Sequence, residues 1–196
     1  MYIYKIKSIE GQSIEELKKQ VSHERVDKAM RMKHDEDKLR SLLVEKLLNE
    51  VLIENKLVDF APITLEYDRN GKPSVKDKTD LFISLSHSGN YVACIVADTP
   101  CGIDIEKTDR NYDVISGRIF SGDENEEKAL QVFGKNFYAI IWTLKEAVVK
   151  AMGVGIVKDF REFSVLSDRC IVDETVYNIK VADAPDGYAL SIALRE

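Results

Sequence analysis

The run Met1-Tyr2-Ile3-Tyr4-Lys5-Ile6-Lys7 reads as a first strand. Ser13 with Glu16 three residues on has the form of a capping box, and the spacing predicts a short helix over Glu15 to Val21. Leu42, Leu43, Leu47, Leu48, Val51 and Leu52 recur at helical spacing and predict a strongly amphipathic helix with a solvated flank. Ile63 to Tyr67 reads as a strand, and Asp68-Arg69-Asn70-Gly71-Lys72-Pro73 carries dense turn chemistry. Leu81 to Leu85 and Tyr91 to Ala97 read as strands flanking Ser86-His87-Ser88-Gly89-Asn90, a hairpin with a polar tip, and Gly102 to Glu106 as another strand. Helical pattern dominates from about Val114 to Met152 and stops at Gly153-Val154-Gly155. The last strands are expected at Phe163 to Leu166, Val176 to Val181 and Tyr188 to Leu194.

An internal echo runs through this pattern. Gly89 followed by Tyr91 to Val96 resembles Gly187 followed by Tyr188 to Leu194, and each comes after a long helix, centred near Leu47 and near Glu146. Any two hairpins share features of this kind, but the echo suggests two α+β halves, 1–101 and 102–196, meeting near Cys101. A cleft between such halves is a natural place for a ligand.

Composition narrows the setting. The 196 residues suffice for a substantial core, in one domain or two small ones. The chain is 44% hydrophobic and 32% charged, and its net charge of −6 disfavours general nucleic-acid binding. Apolar runs such as Phe137 to Trp142 are far too short to span a bilayer. Three cysteines, Cys94, Cys101 and Cys170, are odd in number and lack CxxC spacing, which points to a reducing cytoplasm rather than to a disulfide framework or a zinc site. Met1 to Lys7 lacks the pattern of a secretory signal.

Three constellations carry chemistry. In Gly102-Ile103-Asp104-Ile105-Glu106 a strand would turn both carboxylates to one face and both isoleucines to a core, presenting hard oxygen ligands suited to magnesium. An ordinary half-buried strand carries the same alternation. In Trp142-Thr143-Leu144-Lys145-Glu146-Ala147-Val148-Val149-Lys150, Glu146 and Lys150 share a helix face, as an ordinary ion pair also would. The functional reading gains weight if Glu146 completes the acidic set while Lys150 or Lys145 contacts a phosphate; Trp142 would be a core anchor or a pocket wall. Ser86-His87-Ser88 on an exposed tip could bind phosphate, whereas His23 and His34 read as surface residues. Absence of GxSxG, Walker A and GxGxxG patterns removes support for hydrolase-elbow, P-loop and Rossmann chemistry.

In order and spacing, Gly71-Lys72-Pro73, Ser86-His87-Ser88, Gly102 to Glu106 and Trp142 to Lys150 resemble the 4'-phosphopantetheinyl transferase superfamily, most closely its Sfp type. The resemblance runs from about Arg25 to Gly155. It implies an α+β fold built as a pseudo-dimer of two similar halves, acting as a monomer in the cytoplasm. The implied reaction moves the phosphopantetheine arm of coenzyme A onto a serine of an apo acyl or peptidyl carrier protein, releasing adenosine 3',5'-bisphosphate. The carriers would serve fatty-acid, polyketide or nonribosomal peptide synthesis.

By matching positions, the resemblance implies Asp104, Glu106 and Glu146 as ligands of magnesium, or of manganese in its place, with Lys150 near the phosphates and the reacting serine. His87 would contact the coenzyme's phosphates and Ser86 would lie beside it; Gly71 and Lys72 would line the coenzyme site. Arg25, Lys28, Arg31 and Arg40 are candidates for the 3'-phosphate, and Ser41 stands near the adenine where threonine is common. Glu124 is a second-rank base or water-positioning group, with Glu146 the other choice of base. Phe120, Val132 and Phe133 are candidates for a carrier-binding patch, or else core residues. Two other classes compete: a magnesium-dependent phosphohydrolase with water as nucleophile, and a coenzyme-binding scaffold without catalysis.

Overall fold

A computed structural model describes residues 1–112, 116–155 and 159–196. The elements run β1 (Tyr2–Ser8), α1 (Ile14–Lys18), α2 (His23–Met30), α3 (Asp35–Glu54), β2 (Leu65–Tyr67), β3 (Pro73–Val75), β4 (Phe82–Ser88), β5 (Tyr91–Ala97) and β6 (Cys101–Lys107). They continue with α4 (Ser116–Ile119), α5 (Glu126–Phe133), α6 (Phe137–Met152), β7 (Arg169–Val172), β8 (Thr175–Ala182) and β9 (Tyr188–Arg195).

Two antiparallel sheets dominate, ordered β1-β5-β4 and β6-β9-β8-β7, with β2 and β3 forming a separate ribbon. The same plan appears twice. Each main sheet pairs the first strand of its segment with the last, and the last with the one before it; a long helix lies between first and penultimate strands in sequence. The echo between Tyr91 and Tyr188 therefore marks equivalent central strands, β5 and β9.

Strand alternation sets the layers, because successive side chains point to opposite faces. Ile83, Val92, Cys94 and Val96 turn toward α3. Ala93, Ile95 and Ala97 turn the other way, onto Ile103, Ile105, Leu190 and Ile192 of the second sheet. That sheet's far face, with Tyr177, Ile179 and Ala193, packs on Leu144, Val148 and Ala151 of α6. The order is thus helix, sheet, sheet, helix, an α+β fold with apolar layers between neighbours.

Several expected elements differ. Ser13 begins α1 without a side-chain cap bond, and the helix stops at Lys18 instead of reaching Val21. A separate helix, α2, carries Arg25 and Lys28, with the Ser22 hydroxyl accepting from Arg25 N at its start. Helix α3 is buried on more than one side through its middle, including Val44, Glu45 and Asn49, because α1 and α2 cover the flank expected in solvent.

The expected helix from Val114 begins outside the described residues, and its described part is broken. Asn125 accepts from Lys128 N to start α5, and Gly134 takes φ +69° to end it. Phe163 to Leu166 buries Phe163 and Val165 without joining a ladder, while the alternating Arg169–Val172 does so as β7. All three cysteines are free and buried, and burial pushes each thiol up to about 12. No described helix is long and apolar enough to cross a membrane.

Candidate functional site

Strand β6 and helix α6 approach so closely that their backbones touch. A Cβ built on Gly102 would lie 1.9 Å from the Ala147 carbonyl oxygen, so only glycine fits. With Ile103 and Ile105 fully buried between the sheets, the alternation turns Asp104 and Glu106 to the α6 side, as expected. The contact at Ala147 brings Glu146 and, one turn on, Lys150 to the same seam.

Lys150 Nζ donates to Asp104 Oδ1 at 2.7 Å and to the Ile103 carbonyl at 3.0 Å. The Ser86 hydroxyl donates to Asp104 Oδ1 at 2.8 Å and accepts from Ile105 N, while Ser88 donates to Glu106 Oε2 at 2.7 Å. Ser84 completes the series by accepting from Ile103 N. These serines lie on β4 itself, since its turn is only Gly89-Asn90; the expected polar tip is a strand face instead. Only the tight alternation Ser84-x-Ser86-x-Ser88 signals this role in sequence. Arg110 holds the other Glu106 oxygen at 3.0 Å.

Magnesium is implied by the resemblance, and the donor set fits such a cation in kind. Asp104 is 5% exposed, yet its Oδ2 is buried with no hydrogen-bond partner. Glu146 is pushed up to about 6, first by burial and then by the charge of Asp104, with Glu106 adding to it. A buried orphan oxygen beside carboxylates that repel one another is an arrangement a hard cation would relieve. Among the described residues, however, no three His, Cys, Asp or Glu side chains are grouped so as to hold a metal ion as they stand. Lysine, serine and arginine partners occupy the other oxygens of Asp104 and Glu106.

Beside this seam opens a cavity of about 230 Å³, lined by Gly71, Lys72, Glu146 and Lys150 among others. Its wall on the ribbon side is built on the end of α6, where Gly153 takes φ +74° as a left-handed cap. Lys72 Nζ donates to the Lys150 and Ala151 carbonyls at 2.7 and 2.9 Å, and Asn70 Nδ2 to the Gly153 carbonyl at 2.9 Å. The ribbon's turn thus satisfies helix-terminal carbonyls that would otherwise lack partners, a task for Lys72 and Asn70 that the sequence does not announce. Burial holds the Lys72 ammonium below its ordinary pKa.

The start of α3 supplies another group. Arg40 donates to the Gly89 carbonyl and to Asp37 Oδ1, each at 2.6 Å. His87 is exposed on the α3 side of β4, and its imidazole is held down first by the protein mass around it, then by Arg40 and Lys150. Ser41, 4% exposed, keeps its hydroxyl buried and unpartnered. Arg40 and His87 therefore belong to one neighbourhood, and Ser41 follows Arg40 on α3.

Other predicted residues are drawn elsewhere. Arg25 is only 7% exposed and is committed to Glu45, at 2.8 Å, and to the Tyr67 hydroxyl, so it is a structural cation rather than a free phosphate ligand. Lys28 and Arg31 are exposed, with Lys28 Nζ 5.2 Å from the Tyr67 ring centre. His23 and His34 are exposed as expected. Phe120 and Phe133 pack on the α6 core while Val132 faces solvent. Trp142 sits edge-on to Phe160 at 5.4 Å, half-buried.

Glu124 is not poised as a base. Its Oε2 accepts from Ser121 N and from Lys145 Nζ at 2.5 Å, and its Oε1 accepts from Val165 N. Lys145 is fully buried and donates also to the Phe160 and Phe163 carbonyls, which removes it from any phosphate. Lys145→Met should lower the unfolding free energy by about 3–5 kcal/mol in urea titration, since it leaves a buried carboxylate without its counter-ion. A loss below about 1 kcal/mol would sink this assignment.

Comparisons with known proteins bear on the family of the chain. Residues 100–193 match the model of the 4'-phosphopantetheinyl transferase superfamily. The chain is 36% identical over 145 residues to 4'-phosphopantetheinyl transferase psf-1 of Bacillus pumilus, covering 73% of this chain and 62% of that protein. It is 32% identical over 147 residues to 4'-phosphopantetheinyl transferase Sfp of Bacillus subtilis (strain 168), covering 74% and 66%. The matched stretch thus spans less than two thirds of either relative's length. A crystal structure of Thermotoga maritima holo-[acyl-carrier-protein] synthase matches at 21% identity with a TM-score of 0.42, over 50% of this chain and 63% of that one, too distant to bear on the fold. On the family model and the sequence relatives together, the chain belongs to the 4'-phosphopantetheinyl transferase superfamily.

Proposed function

We propose that the protein transfers the 4'-phosphopantetheine arm of coenzyme A to a serine hydroxyl of an apo acyl or peptidyl carrier protein, releasing adenosine 3',5'-bisphosphate. One observation carries the reading: four motifs distant in sequence converge where β4, β6, the β2–β3 turn and α6 meet, around Lys150 and Asp104 2.7 Å apart. The serine oxygen bonds to the phosphorus that bears the arm, the bond from that phosphorus to the leaving bisphosphate breaks, and the serine gives up its proton.

Asp104, Glu106 and Glu146 would hold magnesium, or manganese in its place. When bound, the cation supplies charge neutralisation for the pyrophosphate. Arg40 and His87 take the coenzyme's phosphates, Ser41 its adenine side, and Gly71 with Lys72 frame the cavity. Lys150 faces the reacting phosphate from α6 and stabilises charge there without a covalent protein intermediate. Glu146 lines the cavity as a metal ligand, and Glu124, spent on Lys145, does not receive the serine proton.

The repeated strand plan supports a division into halves 1–101 and 102–196, working together as a monomer. Three free, buried thiols fit the cytoplasm. Carriers of fatty-acid, polyketide or nonribosomal peptide synthesis are the expected partners.

Intact-mass spectrometry of apo carrier proteins incubated with this protein, coenzyme A and magnesium tests the reading. Gain of one phosphopantetheine, abolished by EDTA, is the expected result. Coenzyme breakdown without carrier gain would favour the phosphohydrolase, and binding of coenzyme A without either product would favour the scaffold.

A further inference from the structure

Strand β6 forms the open edge of its sheet, and the amides of Ile103 and Ile105 on that edge have no strand partner. Serine hydroxyls of β4 accept from them instead: Ser84 from Ile103 N at 3.2 Å and Ser86 from Ile105 N at 3.3 Å. Accepting the Ile105 proton fixes the direction of Ser86's own hydrogen, which goes to Asp104 Oδ1 at 2.8 Å. Lys150 donates to that same oxygen. Both donors thus saturate Oδ1 and leave Oδ2, buried and unpartnered, as the one oxygen with lone pairs to offer. Ser88 likewise engages one Glu106 oxygen, Oε2 at 2.7 Å, though without an amide bond of its own and with Arg110 on Oε1 at 3.0 Å.

We propose that Ser86 and Ser88 are positioning residues that set the orientation of Asp104 and Glu106, and so prepare those carboxylates for a hard divalent cation. The inference rests on the metal reading above but assigns to Ser86 a task other than contact with the coenzyme. Its chemistry is that of outer-shell hydrogen bonds, which fix a ligating group's rotation and whose loss weakens metal affinity about 10- to 100-fold. Ser84 is the natural comparison, since it makes the same kind of bond to β6 and, among the described residues, no hydrogen bond to a carboxylate.

The probe is Mn²⁺ alone, its binding followed by loss of the free-ion electron paramagnetic resonance signal. Chains compared are the unaltered protein, Ser84→Ala, Ser86→Ala, Ser86→Thr, Ser88→Ala and Asp104→Ala, each checked by thermal unfolding. Ser86→Ala and Ser88→Ala should weaken Mn²⁺ binding about 10-fold or more. Ser86→Thr, which keeps the hydroxyl, should recover most of the affinity, and Ser84→Ala should stay within about 3-fold although it loosens the junction as much.

Equal weakening in Ser84→Ala and Ser86→Ala, with binding still lost in Asp104→Ala, would overturn the positioning role and leave the metal reading intact. Binding unaffected by Asp104→Ala, or none by the unaltered protein, would overturn the metal reading and the positioning role with it. A Ser86→Ala chain that unfolds leaves Ser88→Ala to decide, because Glu106 is nearer solvent and its serine bonds no backbone amide.

Discussion

Gly102→Ala is expected to leave little folded protein. The added methyl would stand 1.9 Å from the Ala147 carbonyl oxygen and 2.8 Å from both the Ala147 carbonyl carbon and Ala151 N. All three neighbours are helix backbone, so no side-chain rotation relieves the clash, and α6 would have to lift from β6. That movement would open the apolar layer beneath α6, in which Leu144, Val148 and Ala151 are buried. Overpacking commonly costs about 1–3 kcal/mol, and a backbone collision of this size belongs above that range, at about 4 kcal/mol or more. Urea unfolding of soluble protein measures it, with Gly122→Ala as a control, since a Cβ there meets nothing within 4 Å. Equal midpoints for the two variants would mean that strand and helix do not touch in solution.

Asp104→Ala should behave oppositely, removing about a thousandfold or more of the transfer rate while keeping the fold. Its loss deletes bonds from Ser86 and Lys150. In return it removes a buried oxygen without a partner and one source of the repulsion that pushes Glu146 up to about 6. Lys150 is not stranded, because it keeps the Ile103 carbonyl at 3.0 Å and remains partly exposed. The gains and losses are each about 1–3 kcal/mol and oppose one another, so the unfolding midpoint should move little. Carrier modification by mass and urea denaturation, run on the same preparation, separate the two effects. Retained transfer would remove Asp104 from the chemistry, and an unfolded chain would make it a structural residue.

The sequence disclosed what depends on periodicity and left obscure what depends on contacts between distant segments. Alternation in Gly102 to Glu106 correctly turned both isoleucines inward, and the 3.6-residue period correctly put Glu146 and Lys150 on one side of a helix. Helix breaks were harder to read. The stretch before Met152 is apolar enough to look continuous, and its interruption at Ser121 to Asn125 is held by Glu124, whose partners Lys145 and Val165 lie 21 and 41 residues away. Arg25 shows the same limit: its charge suggested a phosphate, and only the fold reveals Glu45, 20 residues on, as its counter-ion. Ser86 was misplaced because Gly89-Asn90 alone makes the turn and the strand runs through Ser88. A serine in a strand and a serine in a loop look alike until their partners are known.

The closed edge of β6 also bears on how a partner can approach. A bare strand edge invites an extended peptide to zip on as one more strand, with backbone bonds supplying the affinity. Here Ser84 and Ser86 already occupy the amides of Ile103 and Ile105, and Lys150 holds the Ile103 carbonyl. A protein offering its serine to this seam therefore gains no ladder from β6. A partner of the kind proposed would have to present its serine as a side chain at the mouth of the cavity, without backbone pairing to β6.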